Sequence, residues 1–131
     1  MKKDIEIPIV KDVHVAIIHE WNEAFLSKDW NAYILNNSAI PIEMVLVVSK
    51  GFDGEIKTSL MRHAIAIVGA KSFEKIEVLQ EDVLGLNNEF FVTYYVDNKL
   101  YEKRFMFKKG TVTEANLTTI PLIENDGIFA V

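Results

Sequence analysis

Residues 12–27 read DVHVAIIHEWNEAFLS, and the fold assigned to the chain turns on how this stretch is taken. Val13, Ile17, Ala24 and Phe25, flanked by Ile18 and Trp21, form one apolar stripe, with His19, Glu20, Asn22, Glu23 and Ser27 opposite. That spacing follows the i, i+3, i+4, i+7 rule of an amphipathic helix lying on a core, with Asp12 as its N-cap. Lys28-Asp29 interrupts the pattern. Asp29 can cap a second, short helix over residues 30–35, which Asn36-Asn37 would end in a left-handed cap.

Further along, the β-branched run 43–49 predicts a strand, and Gly51-Phe52-Asp53-Gly54 a turn. Over 57–70, Leu60, Ala64, Ile67 and Val68 fit helical spacing, and Gly69 stands where a C-cap belongs; a strand over 64–68 is the competing reading. After Ser72 the texture becomes that of strands. Residues 73–80 alternate, and 89–96 (EFFVTYYV) is the clearest strand in the chain. Asp97-Asn98 has the composition of a two-residue hairpin turn with positive φ, and 99–107 returns. The threonine-rich 111–120 reads as another strand, and the tail 121–131 as a short one.

Helices first and an antiparallel run afterwards predict an α+β fold, with N-terminal helices packed in the concavity of a strongly curved antiparallel sheet of four to six strands. The organisation expected is one domain over 1–131: an N-terminal arm (1–11), the cone (12–120) and a C-terminal tail (121–131). The rival is an unrelated α+β sandwich in which 64–68 is a strand. Both faces of 89–96 are apolar, so one face covers the helices and the other needs a lid. The expected lid is a second subunit, giving a homodimer through the outer sheet face.

Composition narrows the function classes. The chain has 131 residues, with 19 acids against 14 bases for a net charge of −5, and no cysteine. No Lys/Arg block exceeds two residues, which argues against a nucleic-acid partner. Absence of cysteine removes thiolate nucleophiles, disulfides and Cys-ligated zinc. No apolar run approaches the ~18 residues of a membrane span, and no leader is read at the N-terminus. A cytoplasmic protein without a membrane partner is expected. His14, His19 and His63 offer no i, i+4 pair, so neither a metal site nor a cofactor is expected.

The layout, with its break Phe25-Leu26-Ser27-Lys28-Asp29-Trp30, resembles the nuclear transport factor two-like superfamily, which includes ketosteroid isomerases and polyketide cyclases. The resemblance spans roughly residues 12–120 and implies a cone enclosing a mostly apolar pocket for a small hydrophobic organic molecule. Glu43 stands near the family's general base. Lys103 occupies the place of the family's protonated acid, and Trp21 and Phe25 lie where its oxyanion tyrosine is expected; both are departures. The candidate catalytic residues are Glu43 and His63, for proton transfer or water addition and elimination. Candidate ligand-binding residues are Trp21, Tyr94, Tyr101, Lys103 and Phe105. The alternative is a non-catalytic protein interaction or assembly module, favoured if Trp21, Phe90 and Phe105 pack the interior solid.

Overall fold

The expected N-terminal helix is a β-strand. In the computed structural model, which describes residues 11–130, β1 (Val13–Asn22) and β2 (Ser27–Asn36) form an antiparallel hairpin paired from Val13↔Asn36 to Asn22↔Ser27. β3 (Ile42–Asp53), β4 (Ile56–Lys57) and β5 (Met61–Val68) follow, then β6 (Ser72–Leu79) and a single-turn helix, α1 (Glu81–Leu84). β7 (Asn87–Val96), β8 (Lys99–Phe107), a 3-10 turn (Glu114–Asn116) and β9 (Gly127–Phe129) complete the described chain.

The strands make two antiparallel sheets. The first has the order β6-β2-β1-β9; the second has the order β4-β3-β7-β8, with β5 also pairing with β3. This is a β-sandwich, and it overturns the α+β cone. With it fall the two N-terminal helices, the helix over 57–70, and the nuclear transport factor two-like layout that needed them. The competing reading of 64–68 as a strand is the one observed, as part of β5.

The periodicity misled because β1 is covered on both sides. Val13, Val15 and Ile17 face the second sheet and are buried with Ala32, Ile34, Val45, Val47, Phe90 and Val92 in the main core. Ala16 and Ile18, on the opposite face, are buried with Leu35 beneath Ile120, which arrives from the segment after β8. An apolar run filled at nearly every position contains a helical stripe by default, and only its β-branched content and short length speak for a strand.

The second sheet follows expectation more closely. Asp97 and Asn98 adopt φ of 49° and 65°, the pair of left-handed residues that matches hairpin twist, and join β7 to β8 in register from Asn88↔Phe107 to Val96↔Lys99. The 111–120 segment is not a strand; it carries the 3-10 turn and crosses to the outer face of the first sheet. The tail does contain its short strand, β9, which pairs with β1. The expected N-terminal arm lies outside the described residues apart from Lys11, as does Val131.

Candidate functional site

Along β3, alternate residues Val45, Val47 and Ser49 point between the sheets, opposite Val92 and Phe90 of β7. On β5 the same face carries Met61, His63 and Ile65, in register with Ser49, Val47 and Val45. The third contributor comes from the other sheet. β6 pairs with β2 as Tyr33↔Lys75 and then Ala32↔Glu77, so Ile76 is an extra residue in a β-bulge. Without the bulge Glu77 would lie opposite Asn31 on the outer face; the bulge re-aims it into the sandwich.

The three side chains meet on one carboxylate oxygen. Ser49 Oγ donates to Glu77 Oε1 at 2.6 Å, and His63 Nε2 lies 2.8 Å from the same oxygen. Glu77 and His63 are only 12% and 21% exposed at their side chains. Hydrogen bonds to a carboxylate at these lengths are charge-assisted, and here they also tie the edge of one sheet to the other. Among the described residues Glu77 Oε2 has no hydrogen-bonding partner, and Glu77 lines a cleft of about 230 Å³.

That cleft opens at the end of the sandwich beside α1. Its walls are mainly apolar, from Met61, Leu79, Val83 and Phe90, with Ser49, Glu77 and Asn88 among its polar points and Lys50, Thr58, Ser59 and Gln80 completing them. Asn88 Nδ2 donates to the carbonyls of Val83 (2.8 Å) and Leu86 (3.1 Å), which holds α1 and the following turn over the opening. On the other side Gly51 N–H donates to Thr58 Oγ1 at 2.8 Å and Thr58 N–H to Gly51 O at 2.9 Å. A side chain at Gly51 would press on Thr58, Asn88 and Leu86, so the narrow floor depends on glycine.

Of the residues expected at a pocket, only His63 belongs to this cluster. Glu43 sits on the outer face of the second sheet opposite Tyr95 and Ile67, away from His63 on the inner face. Tyr94 and Tyr101 stack at 5.2 Å near the other end of the sandwich, where burial, with Tyr101 close by, pushes the Tyr94 hydroxyl up to about 12. Phe105 is buried core, and Lys103 lies on the edge strand with Nζ 5.2 Å from the Phe105 ring. Trp21, at the end of β1, is 52% exposed. Phe90 and Phe105 therefore fill the interior and Trp21 does not, while Tyr94 and Tyr101 line a separate cleft of about 200 Å³ with Val13, Ile42 and Val96. Ser49 and Glu77 escaped the sequence reading; the signal available was a carboxylate sharing an alternation phase with Phe73 and Leu79.

Ser49 donates to Glu77, not to His63, so the serine–histidine contact of a nucleophilic triad is missing. Among the described residues no group of three or more His, Cys, Asp or Glu side chains is placed to hold a metal ion, and no helix is long and apolar enough to cross a membrane. No protein-family model matches the chain, and no curated protein matches its sequence.

One more histidine sets a pH dependence. His19 is buried and stacked on Trp30 at 4.0 Å, and among the described residues its Nδ1 has no hydrogen-bond partner. Burial, then the Lys28 charge, lowers its pKa, while Glu114 opposes the shift. The unfolded chain therefore takes up a proton first, and stability falls as pH drops through the ordinary histidine range near 6.5 toward the lower folded value. The thermal midpoint between pH 7.5 and 5.5 is expected to fall more steeply for the native chain than for His19→Gln. Parallel slopes would show that His19 is not the group responsible.

Proposed function

We propose that the chain is a non-covalent receptor for a small molecule with a compact apolar body and one hydrogen-bond-donating end, an ammonium or a hydroxyl. The observation that carries this reading is the half-used carboxylate. Glu77 keeps Oε1 engaged by Ser49 and His63 while Oε2 has no partner among the described residues, at the edge of an apolar cleft. A carboxylate so fixed loses little freedom when a donor arrives, and pre-organisation of this kind is what small polar contacts need to give net affinity. Size supports the same reading, since a cavity of roughly 150 Å³ suffices for benzene and this cleft is about 230 Å³.

Three probes with the same ring and different ends test the proposal: benzylamine, benzyl alcohol and toluene. A ligand at a hundredfold excess over its Kd stabilises the folded state by about 2.7 kcal/mol, which for a domain of this size is a rise in midpoint of roughly 5–10 °C. Benzylamine and benzyl alcohol are expected to raise the midpoint more than toluene, and Glu77→Gln to remove most of the benzylamine gain. Equal shifts for all three probes, or an undiminished amine shift in Glu77→Gln, would rule the carboxylate out as the anchor.

A further inference from the structure

The two outer faces of the sandwich are treated differently by the chain itself. On the first sheet the segment after β8 lays Ile120 and Ile123 over Ala16, Ile18 and Leu35. On the second sheet no described segment does the same: Met44 is 70% exposed, and Leu46, Tyr95 and Leu100 are exposed beside it. An uncovered apolar sheet face of this kind marks an interaction surface.

Charges on that face are arranged with a symmetry. The line Val47–Val92–Lys103 runs straight across β3, β7 and β8 in register. On one side of it lie the basic Lys50, Arg104 and Arg62, with Glu89 between Lys50 and Arg104 and paired to both, which leaves that side net positive. At matching distances from Lys50 and Arg104 on the other side lie Glu43 and Glu102, both acidic. The bulge at Met44, which has φ of 50°, keeps Glu43 opposite Tyr95 just as Lys50 is opposite Glu89. Apolar positions repeat the pattern: Val48 mirrors Leu46 on β3, and Met106 mirrors Leu100 on β8.

We infer that this face pairs with a second copy of itself about a twofold axis parallel to the Val47–Val92–Lys103 line and just above the outer face. Rotation about that axis places each strand antiparallel over its own copy. Lys50 then meets Glu43 of the second copy, Arg104 meets Glu102, Val48 meets Leu46, and Met106 meets Leu100. A twofold interface must be self-complementary, and this face satisfies the requirement in charge and in apolar texture together. Within one chain Arg104 is held at 2.9 Å from Glu89 and 4.5 Å from the Phe91 ring, so its charge would be shared between Glu89 and Glu102 of the second copy.

Sedimentation velocity on the full chain across tens of micromolar tests the pairing. The native protein should sediment at twice the 15.0 kDa chain mass. Leu46→Lys, at an exposed position that leaves the core intact, should sediment as a monomer with an unchanged circular-dichroism spectrum. Glu43→Lys, which would face Lys50 of the second copy, should weaken the dimer by about tenfold or more, and adding Lys50→Glu to it should restore the affinity. A native monomer throughout the range would overturn the proposal and leave the face to another partner. A dimer indifferent to Leu46→Lys, or not restored by the double exchange, would overturn this mode of pairing.

Discussion

Alanine at position 127 is expected to destabilise the protein by about 3 kcal/mol or more, a fall in thermal midpoint of roughly 10 °C. The reason is contact with backbone. A Cβ at Gly127 would lie 2.5 Å from the carbonyl oxygen of Ile17 and 2.7 Å from Ile18 Cδ1, and the carbonyl belongs to a strand buried in the sheet. β9 must therefore move away from β1. Its displacement breaks the reciprocal backbone bonds between Gly127 and Thr118 (2.9 and 3.0 Å) and the bond from His19 N–H to Asp126 O (3.1 Å). Ile120 loses its seat on Ala16, Ile18 and Leu35, so the variant should also bind more of a hydrophobic dye than the native protein does. A midpoint within about 2 °C of the native one would mean that β9 adapts without cost.

Asn36→Asp should have an effect at least as large. Asn36 is fully buried, and its Nδ2 donates to the carbonyls of Ile40 (2.8 Å), Val68 (3.2 Å) and Gly69 (3.0 Å), while Oδ1 accepts from the N–H and hydroxyl of Ser38. One amide thus fastens the end of β2 to the loop before β3 and to the connection from β5 to β6. A carboxylate in its place turns donors into a charge facing carbonyl oxygens, with an expected loss of about 3–5 kcal/mol at neutral pH. The introduced acid would be held well above the usual carboxylate range in the folded state. Its protonated form is then favoured by folding, so the deficit is full at pH 7 and shrinks as pH falls through the raised folded value toward the unfolded one near 4. Urea midpoints of the variant and the native chain at pH 7 and pH 4 check this: the gap must narrow on acidification. A constant gap would assign the loss to geometry instead of charge.

The legible parts of the chain were those where one physical signal stood alone. The β7–β8 hairpin could be read because Asp97-Asn98 demanded a left-handed turn between two runs of strand-forming residues. The hairpin of β1 and β2 could not, because Ala16, Ile18 and Leu35 are covered by a segment about a hundred residues later, and no local pattern announces such a cover. In β5 Ala64 and Ala66 lean toward helix by propensity, and the tertiary pairing with β3 overrode that preference. The site was legible only at His63. Ser49 and Glu77 reach it from β3 and β6, 28 positions apart in the chain, and nothing about either residue alone marks it. The expected interior aromatics, Tyr94, Tyr101 and Phe105, share one face of the second sheet; Phe105 is packed core, while Tyr94 and Tyr101 line a separate cleft of about 200 Å³.

The bulge at Ile76 has a consequence for how this protein can change over generations. Ile76 is the residue without a partner in the β2–β6 ladder, with Lys75 opposite Tyr33 and Glu77 opposite Ala32. Deleting it would close the ladder and leave Glu77 opposite Ala32, still facing inward, at the loss of one buried isoleucine. The carboxylate would turn outward only in a β6 of unchanged length that paired without the bulge, since Glu77 would then stand opposite Asn31. A lineage could therefore lose this residue and keep the aim of its acidic group.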